Sequence, residues 1–177
     1  MKAAILLLLA LLLTAGPAAS QTSDDTLIVP GVRIGKWTLK MTIDDLLRMN
    51  GPVSPVFFNA GSEPALDTRQ DVWVYGWLLH ALGAATVDRR TIDVLIAGEG
   101  GRVVPFRTDR GISLFQSKRG SILTVYGKPT VALKPAYGQS ELIYEEIGLG
   151  FRVYDGGGDI QAIFVFRPGA ARGFWKY

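Results

Sequence analysis

The stretch GSILTVYGKPT, Gly120 to Thr130, carries an apolar run, Ile122-Leu123-Thr124-Val125-Tyr126, into Gly127 and then Pro129. Proline cannot continue a helix and holds the residue before it in extended backbone, so the stretch reads as a short helix turned into a strand. The same ending stands earlier in TIDDLLRMNGPVS, Thr42 to Ser54, where Leu46-Leu47-Arg48-Met49 meets Gly51-Pro52. Sliding the chain on itself by 127 − 51 = 76 residues sets Asp45–Gly51 over Ser121–Gly127. Upstream, GVRIG at Gly31–Gly35 is matched by RGISL at Arg110–Leu114. Downstream, IDVLIAGEGGRVVPF, Ile92–Phe106, is matched by LGFRVYDGGGDIQAIFVF, Leu149–Phe166, each an apolar strand, a Gly-rich turn and a second apolar strand. Gly51 to Gly101 spans 50 residues and Gly127 to Gly158 spans 31, so the first copy holds 50 − 31 = 19 extra residues, expected within Val53–Arg90.

Each copy has a local reading. Thr42 is placed to N-cap a helix, with Asp45 at the capping-box position and Ile43, Leu46, Leu47 and Met49 as its apolar face. Ser117 is the expected cap of the second helix, and Gly127 its stop. Strands are expected at Val53–Phe58, Val72–Leu79, Thr91–Ala97 and Arg102–Arg107. In the second copy they fall at Thr130–Leu133, Glu141–Ile147, Leu149–Tyr154 and Ile160–Arg167, and turn-forming residues separate them. The expected class is α+β: two tandem units, each a short helix or helical pair followed by a roughly four-stranded antiparallel sheet. The divisions are a signal peptide 1–20, an N-terminal segment 21–30, first unit 31–108, second unit 109–168 and an aromatic tail 169–177.

The segment TDRGISLFQSKRGSILTVYGKPT with LIYEEIGLGFRVYDGGGDIQAIFVF resembles the bacterial SmpA/OmlA and β-lactamase-inhibitor-protein-like repeat. There an I-x-L-G strand precedes a short helix ending YGxP, and a sheet with a Gly-containing hairpin follows. The resemblance covers about residues 111–167, and 31–107 more loosely. It implies an exported, non-enzymatic protein that binds other proteins. Two features depart from the pattern: lipidated members carry an N-terminal cysteine that is missing here, and Phe115 stands where the repeat usually has Gly.

The ends and the composition agree with export. Lys2, the apolar run Ala3–Leu13 and Ala18-Ala19-Ser20 have the layout of a signal peptide cleaved after Ser20. The apolar run is shorter than the roughly 20 residues that span a bilayer. Removing it leaves 19 − 1 = 18 basic residues against 16 acidic, a net charge of +2. No run of like charges points to nucleic acid or anionic lipid. With no cysteine there is no disulfide, thiol chemistry or N-terminal lipid anchor, and no membrane span is expected after cleavage. The protein is expected in the periplasm or outside the cell.

The sequence nominates no catalytic, cofactor-binding or metal residue. His80, the one histidine, lies in the apolar WLLHALG. No G-x-S-x-G or S-x-x-K motif accompanies it in the mature chain. Asp44/Asp45 reads as helix N-terminal charge, Glu145/Glu146 as a rim strand, and Asp155–Asp159 as a hairpin turn. Aromatics are the remaining signal. Trp73, Tyr75 and Trp77 alternate onto one strand face, which serves either packing or a partner. Arg152, Tyr154, Ile163 and Val165, with Trp175 of the tail, complete the candidate protein-binding surface; the tail either binds a partner or folds back over the sheet. Three classes follow: an exported binding or assembly module whose partner is another protein, a protein inhibitor of an envelope or extracellular enzyme, and, with least support, a small outer-membrane barrel or an enzyme without a recognised motif.

Overall fold

The computed structural model describes residues 25–52, 73–77, 81–98, 103–134 and 138–175, with Trp73 in its backbone alone. The signal segment, the strand expected at 53–58, His80 and the side chain of Trp73 lie outside the described residues. The fold is α+β, with two short helices and two sheets among the described residues.

Chain order is β1 (Leu27–Val29), β2 (Arg33–Ile34), β3 (Trp37–Thr38), α1 (Ile43–Asn50), β4 (Trp73–Trp77), β5 (Leu82–Thr86), β6 (Val94–Ala97), β7 (Arg107–Thr108), α2 (Arg119–Tyr126), β8 (Val131–Leu133), β9 (Gln139–Tyr144), β10 (Leu149–Tyr154) and β11 (Ile160–Phe166). The small sheet runs β3-β2-β1-β7, its last pair parallel. The large antiparallel sheet runs β4-β5-β6-β11-β10-β9-β8. Strands assigned by sequence to two sheets therefore lie in one. The join is the β6–β11 pair: Ile96 faces Phe164, with Leu95↔Val165 and Ala97↔Ile163 on either side.

Both helices are eight residues long. Thr42 caps α1 as expected: its Oγ1 accepts from the Asp45 N–H at 3.2 Å, and the Thr42 N–H donates to Asp45 Oδ2 at 2.8 Å. The backbone bond to Asp45 Oδ2, and then the Thr42 hydroxyl, which donates to the same oxygen at 2.8 Å, hold the Asp45 carboxyl below its ordinary range. The N-cap of α2 is Lys118 and not Ser117, and it makes no side-chain cap bond. Ser117 Oγ instead accepts from the Ser113 N–H at 3.0 Å, closing the preceding turn. Gly51 and Gly127 stop the two helices at φ 78° and 75°, a region costly for residues with a Cβ. Each donates its N–H to the carbonyl four residues back, Leu47 at 2.9 Å and Leu123 at 3.0 Å. Loops of the large sheet hold both helix starts, through Ile43 N–H to Arg90 O at 2.9 Å and Arg119 N–H to Gly158 O at 2.8 Å.

Several sequence expectations are corrected. Of the strand expected at Arg102–Arg107, Arg102 lies outside the described residues and 103–106 belong to no strand; Arg107–Thr108 forms a short strand that joins β1. Glu145–Ile147 is a 3-10 turn and not a rim strand, ended by Gly148 at φ 67°. A Cβ on Gly148 would sit 2.0 Å from Phe166 O. β5 has no counterpart in the sequence reading. Its residues LGAAT are buried on both faces and show no alternation.

Both faces of the large sheet pack against other parts of the chain. One carries Leu95, Phe151, Ile163 and Val165, packed with Ile43, Leu46 and Ile122 of the helices and with Ile28, Ile34 and Trp37 of the small sheet. The other carries Val94, Ile96, Phe164 and Phe166, packed with Ala171, Phe174 and Trp175 of the returning tail. Among the described residues no helix is long and apolar enough to cross a membrane.

Candidate functional site

Five of the eight residues nominated by sequence are buried: Trp77 at 2% exposure, Arg152 at 4%, Trp175 at 1%, and Ile163 and Val165 at 0%. Each burial has a local cause. Trp77 stands edge-on to Trp37, ring centres 5.0 Å apart, and its Nε1–H donates to Gly51 O at 3.1 Å. Arg152 faces Glu141 across β10–β9 and donates to its Oε1 through Nε and Nη2 at 3.0 and 2.7 Å. Trp175 Nε1–H donates to the other oxygen of that carboxylate at 2.7 Å, and its ring packs 5.0 Å from Phe166 and 5.6 Å from Phe164. The tail thus folds over the sheet. Strict alternation along β11 would set Ile163 and Val165 on one face with Gln161, which is exposed. The β10–β11 register shifts between Arg152 and Val153, where Ala162 and then Ile160 are the partners, so Gln161 has none. Its exposure says nothing about Ile163. Tyr154 remains exposed at 46%, and Tyr75 is half-buried against the core.

A more coherent surface lies at the C-terminal end of α2. Two hollows of about 330 and 320 Å3 share Arg110 and Ile147 and so form one groove. Tyr126, Lys128, Tyr144 and Glu146 line one end; Val29, Pro30, Asp109 and Pro168 line the other. The sequence order explains the convergence. Gly127 turns the chain off α2, which brings Tyr126 and Lys128 beside the 3-10 turn that follows β9. The turn after β7 delivers Arg110 from the opposite side.

Arg110 lies 5.1 Å above the ring of Tyr126, a cation–π geometry that fixes a long side chain. Tyr126 packs in turn on Tyr144 and Phe151, each 5.6 Å away. Tyr144 is buried, and its hydroxyl donates to Gly127 O at 2.9 Å. Burial, helped by neighbouring Tyr126, pushes the Tyr144 phenol up to about 12. Burial raises Tyr126 as well. Both phenols are therefore neutral near pH 7, available as hydrogen-bonding and stacking groups and not as bases. The groove joins fixed aromatics, two cations and two carboxylates of opposite sign, the mixed chemistry of a recognition surface. Sequence reading missed Arg110, Lys128 and Glu146, although Tyr126 and Lys128 stand in the YGKP ending that defines the helix stop.

Among the described residues no group of three His, Cys, Asp or Glu side chains is placed to hold a metal ion. No protein-family model matches the chain, and neither a curated protein nor a solved structure matches it.

Proposed function

We propose that this chain is an exported binding or envelope-assembly protein that acts without catalysis and grips a segment of another protein along the Arg110 groove. The proposal takes the chain as two related α+β units joined edge to edge, resembling the SmpA/OmlA and β-lactamase-inhibitor-protein-like repeat. Matched features support the two-unit reading. The N-caps differ by 118 − 42 = 76 positions and the C-caps by 127 − 51 = 76. In each case an aromatic from the neighbouring sheet, Trp77 or Tyr144, donates to the C-cap glycine carbonyl. Export to the periplasm or beyond, without a lipid anchor, rests on the leader-like residues 1–20 and the lack of cysteine.

The observation that carries the binding reading is the Arg110–Tyr126 pair at the centre of the groove. Arginine and tyrosine, held rigid and flanked by pockets, are the residues that dominate protein interfaces. The inhibitor reading remains the alternative. Such an inhibitor would need an open sheet face, and the tail packs over one face of the large sheet around Phe164 and Phe166.

The test is capture from envelope extract with mature protein as bait, comparing wild type with Arg110→Glu and Lys128→Glu. A specific partner should be lost from both variants and kept by Lys40→Glu, an exposed lysine that lines neither hollow. Melting temperatures should agree within about 2 °C, as expected for surface changes under roughly 0.5 kcal/mol. A partner retained by Arg110→Glu removes the groove from the proposal.

A further inference from the structure

The large sheet ends at β8, a strand with one neighbour. On that side Val131, Ala132 and Leu133 stand opposite Ile143, Leu142 and Glu141 of β9. Among the described residues no other strand, isolated bridge or loop backbone bond reaches the opposite side. Backbone N–H and C=O groups need partners, and an edge strand presents a row of them outward. At β8 that row is open.

The side chains along this edge alternate. Thr130, Ala132 and Lys134 are exposed, whereas Val131 and Leu133 are half-buried against the cluster that holds Trp175. Period two sets the exposed three on one face. Thr130 also lines the hollow that holds Arg110, Tyr126 and Lys128. The open edge therefore leads out of the Arg110 groove on the groove's own face. Charge along this path is one-sided. Three cations, Arg110, Lys128 and Lys134, stand against the hollow's single lining carboxylate, Glu146. Both lysines are exposed, and neither is in an ion pair among the described residues.

We infer that β8 takes up an acidic, extended segment of the partner protein as an added strand, with carboxylates at its first and fifth positions and an apolar side chain at the third. This rests on the reading of the Arg110 groove as the partner's site, and adds how the partner is held. The open backbone row calls for a strand, the way an exposed sheet edge takes a peptide. Directly opposed side chains on neighbouring strands lie about 5 Å apart, so partners of Thr130, Ala132 and Lys134 fall at alternate positions of the added strand. One acid meets Lys134. The apolar side chain fills the space over small Ala132. The other acid, opposite Thr130, shares the hollow with Lys128 and Arg110. A second copy of this chain would oppose lysine to lysine, and lysine on an edge is a device against such self-pairing.

The probe is acetyl-Glu-Thr-Val-Thr-Glu-amide, whose pattern is the same for parallel and antiparallel addition. It is titrated into mature protein labelled with 15N while the backbone amides are followed. The amides of Val131, Ala132 and Leu133 should shift and saturate. Two N-methylated forms make the decisive comparison, because a bound strand uses only one of its own sides. Methylation at the valine alone and at both threonines should give opposite results, one form binding like the parent and the other not at all. Lys134→Glu, exposed and outside both hollows, should weaken binding about fivefold, the scale of an exposed ion pair turned into a repulsion. Acetyl-Lys-Thr-Val-Thr-Lys-amide should shift nothing. Shifts confined to Arg110 and Tyr126 overturn strand addition and leave the groove standing. A partner captured by Arg110→Glu removes the groove, while the β8 amides still decide the edge. Equal binding by the two methylated forms, or no shift at β8, overturns the inference. So do β8 shifts that follow protein concentration without probe, the mark of a second copy.

Discussion

Two cross-strand pairs of the large sheet fill similar backbone positions with opposite chemistry. In the large sheet, Val74 faces Ala85 across β4–β5, and Glu141 faces Arg152 across β9–β10. The first pair is apolar, beside two buried glycines, Gly76 against Gly83. The second is a buried ion pair pinned by Trp175. The helix ends diverge in the same way. Asn50 and Tyr126 are 76 apart and end their helices, and each lines its own cleft. The helix-stop glycines and the aromatic-to-glycine bonds answer to backbone geometry and change little between the two regions. The residues that line clefts or meet the tail are free of that constraint, and they are where the halves differ.

The largest expected effect comes from breaking the contrast between the two cross-strand pairs. Glu141→Val should cost about 3–5 kcal/mol, because it leaves the Arg152 guanidinium buried without its carboxylate. That corresponds to roughly 6–20 °C in melting temperature for a chain of this size. Glu141→Val with Arg152→Met makes the second half resemble the first and should recover most of the loss, since an apolar pair of similar volume often does as well as a buried ion pair. Chemical denaturation of the two variants checks it. A double variant no better than the single would mean that the carboxylate matters chiefly as the acceptor for Trp175.

The next contrast is between the two bonds to the helix-stop glycines. Tyr144→Phe removes one hydroxyl and leaves Gly127 O unpaired, at a cost of about 1 kcal/mol. Trp77→Phe removes the bond to Gly51 O and also leaves a void against Trp37, so it should cost about 2 kcal/mol. The burial of Tyr144 also has a pH signature. With its folded pKa raised from 10.0 to about 12, the phenol is protonated more tightly in the native state. That contribution is complete below pH 10 and is lost as pH rises through 12. Denaturation curves between pH 8 and 12 should fall for wild type and fall less for Tyr144→Phe. Identical alkaline slopes would falsify the assignment.

The sequence was legible where a residue type had one structural use. Gly51 and Gly127 had to end helices, the Thr42–Asp45 box had to start one, and β10 was bounded by turn residues on both sides. It was illegible where tertiary pairing decides. β2 and β3 are two residues each and exist only through their neighbours. β5 is all small residues with no alternation to read. The candidate surface failed for a related reason. Period two tells which residues share a face but not which face is covered, and here the helices cover one and the tail covers part of the other. The Arg110 groove draws on residues from 29 to 168, and no local pattern joins them.

The smallest expected effect lies at the helix starts, where the frame itself is unequal. In both helices the first N–H is bonded to a loop carbonyl, Arg90 O or Gly158 O. In α1 the N3 donor is also satisfied, by Thr42 Oγ1; in α2 Lys118 offers no side-chain cap. Thr42→Ala should therefore cost about 1 kcal/mol. Lys118 already holds φ −119° and ψ 168°, the extended backbone that a capping serine adopts. Lys118→Ser should place an oxygen within reach of the Ser121 N–H and gain about 0.5 kcal/mol. It sacrifices only the exposed contact of Lys118 Nζ with Asp159 Oδ1 at 3.6 Å, and surface pairs of that kind contribute little. Melting temperature should rise by about 1–2 °C for Lys118→Ser and fall by about 2–4 °C for Thr42→Ala. If Lys118→Ser lowers stability instead, the Lys118–Asp159 contact is holding the helix to its hairpin, and the second half has replaced a cap with a charge.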